Sequence, residues 1–166
     1  MASNFLQKLN HAQKTMKRVP AIVAKEAVRF SKERFQQQNW IGDSTEMWKK
    51  RKPTSWGKNN DPKRGILQGP GSGRLRKSIR TISQSADKVV TGTDVPYAQI
   101  HNSGGRFVAH QSVKQHTRTR NGKTYKVRAH SRTIHVNMPK RQFIGESQYL
   151  TKRLIRIVSA EFNKGL

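Results

Sequence analysis

The chain has 166 residues, with 34 Lys and Arg against 9 Asp and Glu, a formal net charge of +25 and a pI near 11.5. It contains no cysteine, which excludes disulfide frameworks, thiolate metal sites and cysteine nucleophiles. Charge of this size draws the chain toward a polyanion, whether nucleic acid or an acidic protein surface, without saying which; solvated basic faces on a structural protein are the plain alternative.

The length fits one domain, 1–166, large enough to bury a core. Met1 to Asn10 lacks a cationic region followed by a long apolar run, so no secretion signal is expected. The densest apolar stretch, Val19 to Ala24, is interrupted by Pro20 and is too short to span a bilayer, so no membrane partner is expected. Phe5, Leu9, Ala12, Met16, Val19, Val23, Ala27 and Phe30 recur at spacings of three and four, giving an N-terminal helical region one apolar face. Pro20 suits the first turn of a second helix and costs roughly 3 kcal/mol inside a continuous one, so two helices, or a kink near Val19, are predicted.

From Asn39 to Gly73, Trp40, Trp48 and Trp56 are scattered among Gly, Pro, Asn and a basic cluster, Lys49 to Lys52. This predicts a long irregular connection whose basic run is a solvated loop rather than a nuclear-import signal. Gly69 to Gly73 has no Gly-Lys-Ser/Thr after it, so it reads as a flexible turn and not as a phosphate cradle. Leu75 to Ser85 and Lys88 to Gly92 flank Ala86-Asp87 as the arms of a hairpin, with Ile79, Val89 and Val90 as strand material. Tyr97 to Asn102 then suits a short helix. His101 lies in it with no carboxylate or hydroxyl nucleophile at a telling spacing, which favours a structural histidine over a catalytic base.

Residues 106–132 form the most basic unit, with Arg106, Lys114, Arg118, Arg120, Lys123, Lys126, Arg128 and Arg132 and no acid. Asn121-Gly122 is the preferred pair for a two-residue type I′ turn, so an extended antiparallel hairpin is predicted. Few apolar residues lie beyond Val108, Val113, Tyr125 and Val127, so the hairpin should project from the body as a contact arm. His110, His116, His130 and His135 have no diagnostic zinc spacing and no acidic partner nearby, so neither a metal nor any other cofactor is expected. Leu150, Leu154, Ile157, Val158 and Phe162 predict an amphipathic C-terminal helix that covers the sheet, with Lys152, Arg153 and Arg156 facing outward and Gly165 past its end. The layout is α+β: N-terminal helices, a small antiparallel sheet with the long basic hairpin, and a closing helix.

Two stretches, Gly92 to Gly105 and Met138 to Ser147, combine Gly and Pro with aromatic and small apolar side chains, as strand-to-helix corners in a core do. They also carry a resemblance. In order along the chain, Trp48 with Lys52-Pro53, Leu67, Gly73 to Ile79 with Leu75 and Ser78, and Val90 to Thr93 come first. Pro96-Tyr97-Ala98 with Ile100-His101, Gly104-Gly105 and Pro139-Lys-Arg141-Gln-Phe143-Ile-Gly145 follow. Together they resemble the phage virion morphogenesis family, the Mu-like proteins related to tail completion proteins of long-tailed phages. The basic hairpin resembles a variable insertion in it. The resemblance implies a non-enzymatic structural role at the head-tail joint, in a protein made in the host bacterial cytoplasm and built into the virion. It implies phage neck, portal or tail proteins as partners, and a homo-oligomeric ring. The motif residues would act mainly through structure, with Tyr97 and Phe143 buried, and the arm would meet an acidic neighbour or DNA phosphates. The alternatives are a non-specific basic nucleic-acid-binding protein, which Trp48 and Trp56 amid charge favour, and a small nuclease, which rests on the histidines alone.

Overall fold

In the computed structural model the described residues are 2–51, 65–69 and 73–164, without the side chains of residues 2 and 3. Lys52-Pro53, Trp56, the middle of the Gly69 to Gly73 segment and Gly165 lie outside them. The three-four apolar repeat forms one helix, α1 (Ala2–Gln37), with Pro20 inside it, so the predicted pair of helices is a single element. Pro20 is buried, and the missing N–H is offset because a second helix braces α1 on both sides of it. On the N-terminal side His11 Nε2 donates to the Glu161 carbonyl (3.2 Å), and on the other Arg153 meets Glu26 and Glu33.

Among the described residues four antiparallel two-stranded sheets follow in place of one small sheet. The first pairs β1 (Asn39–Ile41) with β2 (Thr45–Met47). A short helix, α2 (Arg74–Ser78), occupies the start of the predicted first hairpin arm, which leaves β3 (Arg80–Gln84) to pair with β4 (Val89–Gly92). After α3 (Ala98–Ser103) come β5 (Gly105–Val113), β6 (His116–Arg120), β7 (Lys123–Val127) and β8 (His130–Met138). The chain closes with α4 (Gln148–Asn163). The α+β class therefore holds. Among the described residues no helix is long and apolar enough to cross a membrane.

The core sits where the C-terminal end of α1 meets α2, α3 and the segment after β8. Phe35 is fully buried, edge-on to Trp48 (centroids 5.4 Å apart) and tilted against Phe143 (4.9 Å). Leu75, Ile79 and Ala98 complete the same cluster.

The expectation that α4 covers the sheet is not met: α4 lies antiparallel along α1. Its N-terminus stacks Tyr149 on Phe30 (6.1 Å) and its far end meets His11. Arg153, expected outward, faces α1 instead, because Glu26 and Glu33 stand seven residues apart on the side of α1 that α4 covers. Its guanidinium reaches Glu33 Oε2 at 2.9 Å and stands 2.5 Å from Glu26 Oε1, the latter an ion pair without hydrogen-bond alignment. Hydrogen bonding and the charge of Arg153 hold the Glu33 carboxyl below its ordinary pKa against the opposing effect of burial. A carboxylate with a depressed folded-state pKa stabilises above its unfolded value, and that stability is lost as pH falls through the folded one.

Arg153→Ala should lower stability by about 3 kcal/mol, since buried Glu26 is left with the exposed Arg29 as its remaining ion-pair partner. Thermal melts of Glu33→Gln should show a weaker loss of stability than the parent as pH falls below about 4.3, the ordinary glutamate value.

Candidate functional site

The two stretches singled out in the sequence are the two roots of one arm, joined to each other at its base. Asn102, in the last turn of α3, donates from Nδ2 to the Ile144 carbonyl (3.0 Å). Its Oδ1 accepts from the backbone N–H groups of Phe143 (2.9 Å) and Ile144 (3.0 Å). The Arg141 N–H donates to the His101 carbonyl (2.8 Å). One side chain thus closes the backbone groups of a segment that has no strand partner. Gly104 makes the approach possible: at φ 69 it is in a region side chains rarely adopt, and a Cβ there would stand 2.7 Å from the Lys140 nitrogen.

Further bonds tie this base to the core. Trp48 Nε1 donates to the Gln142 carbonyl (2.9 Å), and Arg141 donates from Nε and Nη2 to the Lys49 carbonyl (3.3 and 3.1 Å). Trp48, Leu75, Ala98, Arg141 and Phe143 are buried. Ser78 shares a 2.5 Å hydroxyl contact with Thr93. Pro139 is half-buried, Pro96 is exposed and Gly105 starts β5. Tyr97 departs from expectation. It is 42% exposed, because Ala98 and Val95 fill the core side of this corner while the Tyr97 ring stands edge-on to His101 (5.9 Å). His101 is half-buried; burial, and then the charge of Arg141, lower its pKa, so it is neutral at neutral pH. Its Nδ1 has no hydrogen-bond partner among the described residues. No three His, Asp or Glu side chains come together among them in a way that would hold a metal ion.

Beyond the base, β5 pairs with β8 from Gly105↔Met138 to Val113↔His130, and β6 with β7 from His116↔Val127 to Arg120↔Lys123. The ribbon is therefore longer than 106–132 and ends at Met138. Its turn falls at Asn121 (φ 49) and Gly122 (φ 74), both left-handed as a type I′ turn requires. At about 3.3 Å per residue the ribbon reaches about 50 Å from base to tip. Among the described residues its strands pack chiefly on one another. Arg106, Lys114, Arg118, Arg120, Lys123, Lys126, Arg128 and Arg132 are all exposed along it. The structure thus brings the basic residues together as one arm and the motif residues together as its mount.

Asn102 was not singled out in the sequence. Its signal was there: an amide side chain in a helix's last turn, just before Gly-Gly, is placed to bond backbone rather than to extend the helix. Ser147 was missed likewise; its Oγ caps α4 by accepting from the Leu150 N–H (3.0 Å) and donates to the Ile41 carbonyl (2.5 Å).

A protein-family model described as the phage virion morphogenesis family matches residues 1–163. The chain belongs to that family, whose role is in phage virion assembly. No curated protein and no solved structure matches it.

Asn102→Ala should cost about 1 to 3 kcal/mol by leaving backbone groups of Phe143 and Ile144 unpaired, and hydrogen exchange at those two amides should rise. Unchanged exchange there would mean that the base is held by other contacts.

Proposed function

We propose that the protein is a non-enzymatic structural component at the head-tail joint of a phage particle, completing the tail or joining it to the head, with the arm as its contact element. Family membership over 1–163 supports the assembly role. The observation that carries the joint reading is the arm itself: a ribbon of about 50 Å, mounted on a buried base, acid-free, and, among the described residues, packed beyond that base chiefly on itself. Such an element has its use in reaching a neighbour. Portal, neck or tail proteins with acidic surfaces fit it, as does a second copy in a homo-oligomeric ring, and so do the phosphates of DNA passing the joint.

The helices support the same view. Phe5 is 64% exposed and Met16 65%, and Leu6, Leu9 and Ile155 are also exposed, which leaves apolar surface that an assembled particle can cover. The site of action is the virion, reached by assembly in the host bacterial cytoplasm. A second reading, a non-specific nucleic-acid-binding protein, is favoured by one observation: no Asp or Glu occurs between Asp94 and Glu146.

A phage lacking this protein should make DNA-filled heads and separate tails that do not join, seen by electron microscopy of the lysate, and purified protein should restore infectivity. Normally joined particles would contradict the joint assignment, and a replication or packaging defect would favour the nucleic-acid reading.

A further inference from the structure

The arm is not one uniform ribbon. The two ladders share a single register, yet Lys114-Gln115 and Arg128-Ala129 leave the pairing directly opposite each other. Each departure is fixed in the same way. His116 Nδ1 lies 3.0 Å from the Lys114 carbonyl, and His130 Nδ1 lies 2.9 Å from the Arg128 carbonyl. A carbonyl only accepts, so both imidazoles carry their hydrogen on Nδ1 and are pinned two residues after the departing residue.

A concavity opens at this joint, lined on one strand by residues 111–114 on the proximal side and by His116 and Arg118 on the distal side. Opposite them stand Val127, His130 and Arg132. The result is a saddle of about 470 Å³ with Lys114, Arg118 and Arg132 around it and no carboxylate in its wall. Arg132 is held in place: its Nε and Nη2 both donate to Gln111 Oε1 (2.9 and 2.6 Å). Farther along the distal face come Arg120, Lys123 and Tyr125, since Arg118 pairs with Tyr125 and Arg120 with Lys123.

We propose that this saddle is a nucleic-acid site, in which Lys114, Arg118 and Arg132 hold backbone phosphates while Tyr125 and the tip cations track the strand beyond. Three features favour nucleic acid over an acidic protein surface. Cations converge on a concavity rather than spreading over a plane. One of them, Arg132, is oriented by a neighbouring amide. A two-stranded ribbon also has the cross-section that a duplex major groove admits. Phosphate contact of this kind is independent of sequence and sensitive to salt. The proposal deepens the arm's part in the joint assignment and rests on that reading for the DNA it would meet.

The test compares two double variants of equal charge in the full chain. Lys114→Gln with Arg132→Gln removes two saddle cations. Arg106→Gln with Lys126→Gln removes two from the opposite faces of the same ribbons. Anisotropy with a labelled 20-base-pair duplex, across a salt series and with poly-glutamate as competitor, should show the saddle pair weakening binding about tenfold or more at about 100 mM salt. It should also lower the salt slope by about two, with the control pair falling well short of both. Equal loss from the two pairs would overturn the proposal, leaving only diffuse charge. So would displacement of the duplex by poly-glutamate at matched charge, which would assign the saddle to an acidic protein. Matching thermal melts exclude misfolding as the cause. The same variants in the infectivity restoration assay separate the two readings: lost DNA binding with normal joining leaves the joint assignment standing, and failed joining by the parent protein removes that assignment alone.

Discussion

The Asn102 amide, bonded to the backbone of Phe143 and Ile144, is the interaction on which the rest of the architecture turns. Residues 105 and 138 are the ends of a ribbon that buries little and would contribute almost nothing to stability by itself. What makes the ribbon an arm is that both its ends enter the core at one place. Gly104 allows the backbones to approach, Arg141 and Trp48 tie the return segment to the loop after β2, and Phe143 fills the space beside Phe35. A corner of this kind fixes where the arm leaves the body while the arm itself remains free of it.

Charge is divided to match. The body uses its scarce carboxylates on its own cations: Glu26 and Glu33 on Arg153 and Arg29, Asp94 on Arg80, and Glu161 on Lys164. Buried Arg34 is held by Asn39 Oδ1 (2.8 Å), Gln37 Oε1 (3.0 Å) and the face of Phe30 rather than by a strong ion pair. The arm has cations and no acid of its own, so its field points outward to whatever the particle supplies. Stability and contact are thereby kept in different parts of one chain.

Elements with a local cause were legible in the sequence. Asn121-Gly122 dictated the turn, the three-four repeats dictated α1 and α4, and Gly and Pro beside aromatic residues disclosed the two corners. What escaped depended on partners distant in sequence. Pro20 stays within a helix because α4 spans it, Arg153 turns inward because Glu26 and Glu33 await it, and Tyr97 stays out because Ala98 and Val95 already fill the corner. The joint of the arm was illegible for another reason: no single residue type announces that two strands will leave the ladder at the same level. Periodicity also could not tell whether the apolar face of α4 would meet a sheet or another helix.

The base, not the ribbon, belongs to the folded body. The most direct measurement is the thermal unfolding of a chain in which residues 107–136 are replaced by a short Gly-containing turn, so that Asn102, Gly104, Arg141 and Phe143 keep their partners. A single cooperative transition within a few degrees of the parent is expected, since about 1 kcal/mol moves the midpoint of a domain this size by about 2 to 4 °C. Loss of the cooperative transition would contradict it and make the ribbon part of the core.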